Sequence, residues 1–184
     1  GIVATLADDL VLGVTDFLAV GVAVLACFIA GAAASSVIID WCSRKRRSRQ
    51  YVYPVFAEAV LIVGFGALGL ASHAAPSLEI ALMPLLGFMM GLQNATITRI
   101  SNARIRTTHL TGMVTDIGME LGRYASGNGA DRSKLHIHGG LVASFFVGGL
   151  FGAAGFLMLG FAFAFLAALP LVAIAMPAIW RRRR

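Results

Sequence analysis

The chain has 184 residues, 58% of them hydrophobic and 13% charged, with a net charge of +6 and a mean hydropathy of +0.82. Soluble domains carry about 25% charged residues, so this composition excludes an ordinary water-soluble fold and indicates an integral membrane protein. The basic residues sit in clusters, which points to membrane orientation rather than to nucleic acid as a partner.

Five apolar spans are predicted in chain order, at residues 16–41, 51–75, 78–95, 137–159 and 161–180. Each is long enough for a hydrocarbon core about 30 Å thick at about 1.5 Å per helical residue. None alternates as a strand would, and lipid obliges each backbone to satisfy itself, so the fold class is an all-α polytopic transmembrane bundle. Pro54, Pro84, Pro170 and Pro177 are expected to bend or end helical turns. Cys27 and Cys42 have no metal-ligand or disulfide spacing and read as packing residues.

The Lys and Arg residues set the orientation. Arg44, Lys45, Arg46, Arg47 and Arg49 join the first two spans, and Arg181 to Arg184 close the chain. Between the third and fourth spans lie Arg99, Arg104, Arg106, Arg123, Arg132 and Lys134. If the polar stretch 107–126 does not cross the bilayer, all 15 fall on one side. The positive-inside rule makes that side, and the C-terminus, cytoplasmic. These clusters also suit contact with anionic membrane lipid.

An internal repeat is expected. Sliding the start of the chain by about 111 residues pairs Gly1 with Gly112, Val3 with Val114, Asp9 with Glu120 and Leu10 with Leu121. With six or so extra residues in the second loop, Ala26 meets Ala143, Phe28 meets Phe145 and Gly31 meets Gly148. The unit is a span, a short polar helix, then two spans. Residues 76–184 form a complete unit with its polar helix at 108–124, and 1–75 an incomplete one lacking its leading span. An additional N-terminal helix is therefore expected in the native protein. Three spans per unit require the two units to insert in opposite orientations, a plan common among secondary transporters.

The polar middle carries the candidate site. Gln93 and Asn94 end the third span, where amides bond neighbouring helices or a substrate. Thr107, Thr108, Thr111 and Gly112 precede or open the short helix, where a threonine can cap and free N–H groups favour anions. Gly112, Asp116 and Glu120 recur every fourth residue and share a face, with Arg123 placed to pair with Glu120. Glu58 lies well inside the second span, where a carboxylate is costly unless paired or protonated. Glu58, Asp116, Glu120 and Arg123 are the ion-coupling candidates; an exposed ion-pair row, or a Glu58 reaching back to the 44–49 cluster, is the plainer alternative. His136 and His138 diverge on a helix and read as an interfacial turn, not a metal site. The glycines of "GFMMG" at 87–91, with Gly148, Gly149, Gly152 and Gly155, read as helix-packing surfaces.

"GLQNA" at 91–95, the basic linker, "TTHLTG" at 107–112 and "TDIGMELGR" at 115–123 together resemble the YoaK family of bacterial inner-membrane proteins. The resemblance implies a bundle of roughly six helices in the inner membrane and carries no biochemical activity. The residues favour a small transporter or permease of a small molecule or ion. The alternative is a non-transporting membrane protein, lipid-interacting or an assembly factor. An enzyme is not expected, since there is no nucleophile–base pair, metal constellation or phosphate loop, and no cofactor is implied.

Overall fold

The computed structural model describes residues 2–13, 18–46, 49–102, 110–129 and 131–180. Among these residues seven α-helices follow in order: α1 (Ile2–Leu12), α2 (Leu18–Arg46), α3 (Val52–Ser72), α4 (Glu79–Ile100), α5 (Leu110–Ala125), α6 (Arg132–Leu159) and α7 (Phe163–Trp180). Short 3-10 turns precede α4 and α7. No strand occurs among the described residues, and the bundle is all-α as the hydropathy pattern predicts. The order short helix, long helix, long helix appears twice, as α1–α2–α3 and α5–α6–α7, with α4 between them.

Among the described residues, four stretches are long and apolar enough to cross a membrane: Leu18–Arg44, Val52–Ser72, Pro76–Ile100 and Arg132–Pro177. The last holds the expected fourth and fifth spans, divided where Gly160 adopts a positive φ of 56°. That angle suits glycine, which has no Cβ to clash. The large apolar residues follow a membrane protein's logic. Phe151 and Leu157 are 72% and 86% exposed, because lipid solvates them as well as a protein core would.

Without a hydrophobic force between helices, close contact decides which of them pair. α2 and α4 run parallel and touch backbone to backbone. A Cβ at Gly31 would strike the Phe88 carbonyl, and one at Gly91 the Phe28 carbonyl. Gly87 rests on Val24. The "GFMMG" glycines are thus a packing surface. Ser35 and Thr96 lie hydroxyl to hydroxyl further along, and Asp40 pairs with Arg99 at the end of the seam. α4 stops just beyond, where Asn102 takes a left-handed backbone with φ 53°.

α3 and α7 form a second, antiparallel pair. Gly66 faces Ala164 and the Phe161 carbonyl, and Gly69 lies under the Phe161 ring. That ring meets Phe65, Phe156 and His73 edge to face, with centroids 5.7, 5.4 and 6.0 Å away. The α6–α7 turn is thereby pinned onto the end of α3. Gly155 packs on Phe163, whereas a Cβ at Gly148, Gly149 or Gly152 would meet nothing within 4 Å. Of that glycine run only Gly155 packs against another element. The prolines Pro84, Pro170 and Pro177 lie inside helices that continue through them, and Pro54 is buried in the first turn of α3.

Candidate functional site: an ionic hairpin of α5 and α6

α5 folds back antiparallel on the start of α6, and their facing i, i+4 pairs make an ionic cluster. Asp116 Oδ1 lies 3.6 Å from Lys134 Nζ, and Asp116 Oδ2 lies 3.6 Å from His138 Nδ1. One turn along, Glu120 Oε1 lies 3.9 Å from Lys134 Nζ and 3.5 Å from Arg123 Nη1. Glu120 Oε2 accepts the Asp131 N–H at 2.9 Å. Asp131 in turn caps α6, accepting the Lys134 N–H at 3.1 Å. Glu120 thus stands beside the N-terminus of α6, where the helix dipole favours negative charge.

Burial sets Glu120 and His138 apart from the other members, since Arg123 is exposed and Asp116 and Lys134 are partly so. The Glu120 side chain is 6% exposed, Asp116 32% and Lys134 37%. The residue His138 is 9% exposed. Among the described residues, its Nδ1 is the one buried side-chain polar atom without a hydrogen-bond partner. The ring nitrogen faces Asp116 across a gap too long for a hydrogen bond.

The register also sets the depth of α5. Asp116 opposite His138 and Glu120 opposite Lys134 bring Leu110 level with the Ala143–Phe146 turn, and these residues line one cavity. That level is roughly 9 Å past Ile137, where the apolar run of α6 begins. Among the described residues α5 is not one of the stretches long and apolar enough to cross a membrane; it lies along only the first part of α6. α1 makes the matching hairpin on α2, with Leu6 packed over Gly21. The offsets of the expected repeat would carry Leu6 to Ile117 and Gly21 to His138.

The remaining candidates are distributed over the bundle. Thr111 and Gly112 lie in the first turn of α5, where the Thr111 carbonyl accepts from Thr115 Oγ1 at 2.8 Å. Thr107 and Thr108 fall outside the described residues. Gln93 and Asn94 are half-buried on α4, and the Asn94 amide donates to the Met90 carbonyl one turn back at 2.9 Å. Among the described residues α4 and α5 make no extensive contact, and the two amides are not brought together with the α5 cluster there. Glu58 is 7% exposed on α3, which packs against α4 and α7. It makes no hydrogen bond or ion pair among the described residues, so the reach toward the 44–49 cluster is not observed.

Lys134 and His138 are the members that sequence reasoning missed. His136 and His138 stand on α6 itself, not in a turn; His136 is exposed while His138 points into the hairpin. Matching i, i+4 spacings, Asp116/Glu120 against Lys134/His138, are the signal that could have found them. No group of three metal-ligating side chains occurs among the described residues.

Residues 1–176 match the model of a protein family described as being of unknown function, DUF1275. No curated protein and no solved structure matches the chain.

Proposed function

Taking as premise that the chain belongs to the DUF1275 family, we propose that it is a small transporter of the bacterial inner membrane, built from two units of opposite orientation. The observation that carries this reading is the α5–α6 ionic cluster, in which Glu120 and His138 are buried, on a short helix docked along the start of the long apolar α6. Ionisable groups and part-crossing helices at such positions are the working parts of secondary transporters. The twice-used helix order and the matching α1–α2 and α5–α6 hairpins support the inverted plan. The likeness to the YoaK family belongs to this same reading, as does a cytoplasmic C-terminus.

The cluster's charges suggest a proton as the coupling ion. Asp116, Glu120 and Asp131 face only two permanent cations, Arg123 and Lys134. Glu58, buried and without a hydrogen-bond or ion-pair partner among the described residues, is a second proton-carrying candidate.

A second reading, a lipid-interacting or assembly protein without transport, is favoured by one feature: the cavity beside α5 is walled by apolar side chains, not by Gln93 and Asn94. Flux into liposomes carrying the full-length protein separates the two. A panel of small anions and metabolites, with an imposed proton gradient, should reveal at least one translocated solute. Asp116→Asn with Glu120→Gln should abolish that flux. If no solute moves faster than in protein-free vesicles, the transport reading fails.

A further inference from the structure

The α5–α6 hairpin has a second side, next to the ionic one, and it is hollow. A cavity of about 610 Å³ lies between Leu110 and Ile117 of α5 and Val142, Phe146 and Leu150 of α6. Nearer the start of α6, a second cavity of about 440 Å³ is bounded by Leu121, Tyr124, Gly129 and Arg132. On α5 the residues 110, 117, 121 and 124 form one helical stripe, and on α6 so do 132, 135, 139, 146 and 150. The two cavities are therefore successive parts of one groove. It begins at a Tyr and an Arg and becomes wholly apolar with depth.

From the groove's form we propose that it seats one anionic phospholipid, with the phosphate at Arg132 and an acyl chain running inward between Ile117 and Phe146. This does not depend on the transport reading. Leu135 to Leu150 spans about 22 Å of helix, close to one leaflet with its headgroups. The mouth lies at the headgroup level, where Tyr is a favoured anchor. Charge complementarity names the headgroup. Lys134 and Arg123 are engaged by Asp116 and Glu120, whereas Arg132 is exposed and in no ion pair among the described residues. Deeper in, a Cβ at Gly139 or Gly149 would meet nothing within 4 Å, so the groove floor is open to a chain. The seat of a helix has another form in this protein: on the α2–α4 seam each glycine is closed by a facing backbone.

Native mass spectrometry of the full chain, released from membranes of equal phosphatidylglycerol and phosphatidylcholine, tests the assignment. The wild type should retain one phosphatidylglycerol in clear preference to phosphatidylcholine, and millimolar inorganic phosphate should not displace it. Arg132→Gln, at an exposed position, should lower that preference about fivefold, the equivalent of ~1 kcal/mol for one basic residue at the membrane surface. Gly149→Trp should reduce retention of both lipids by filling the chain's path. Equal retention of the two lipids by the wild type overturns the proposal. So does a preference that Arg132→Gln leaves unchanged. Cross-linking of Gly149→Cys to another protein helix in the native membrane would equally overturn it, since a helix would then occupy the groove.

Discussion

Ser35 on α2 and Thr96 on α4 meet hydroxyl to hydroxyl at 2.8 Å, both fully buried. Thr96 Oγ1 also donates to the Leu92 carbonyl at 2.8 Å. A hydroxyl has one proton, so Ser35 is the donor between the two helices. Interhelical hydrogen bonds in membranes average about 0.6 kcal/mol and reach about 1.7. Ser35→Ala is expected to lose an amount in that range in reversible unfolding from bicelles. Thr96→Ser should lose less of the bond, since it keeps the acceptor. In the double-mutant cycle Ser35→Ala and Thr96→Ala should couple, because each removes the same bond.

The glycines of the α2–α4 seam should be far less replaceable than those of α6. Gly91→Ala drives a methyl into the Phe28 carbonyl, and Gly31→Ala drives one into Phe88. Each should cost roughly 1–3 kcal/mol through helix separation. Gly148→Ala, with open space around its Cβ position, should change stability by less than ~0.5 kcal/mol. Thermal melts of the detergent-solubilised variants make the comparison, and equal losses would contradict the close seam.

Asp40 and Arg99 close the same seam, yet their side chains are 55% and 45% exposed. Water and salt screen a pair so placed, so its coupling should fall below ~1 kcal/mol. A double-mutant cycle with Asp40→Asn and Arg99→Gln should measure that small value, decreasing with added salt. The seam should survive in both single variants.

Glu120 should matter more, because it is buried and holds both the loop and the start of α6. Glu120→Ala strands the Asp131 N–H and leaves Arg123 and Lys134 less compensated. A loss of about 1.5–3 kcal/mol is expected for hydrogen bonds to a charged group. Hydrogen exchange across the 126–135 segment should rise in Glu120→Ala. Glu120→Gln should fall between it and the wild type, since the amide oxygen can still accept from Asp131.

Some of the site was legible along the chain and some was not. Glu120 with Arg123 is an i, i+3 pair and can be read from spacing alone. So can the shared face of Asp116 and Glu120. That Glu120 is buried and Asp116 faces His138 depends on how α5 docks on α6, and no local pattern specifies that docking. The same holds for the glycines. "GFMMG" and the Gly148–Gly155 run look equally fit for packing, but closeness of approach belongs to a pair of helices, and among the described residues only the first run has an opposing helix along its length.

Hydropathy is a property of each segment by itself, so the sequence determined that there are long apolar helices, roughly where they begin and end, and that polar residues gather between α4 and α6. Which helices touch, in what register, and which side chains are thereby removed from solvent were decided only by the tertiary structure. The reason is physical: in lipid, apolar residues gain little by meeting one another, so pairing rests on backbone approach at Gly31 and Gly91 and on single polar contacts such as Ser35 with Thr96. These depend on three-dimensional fit between residues about 60 positions apart, to which composition and period are blind.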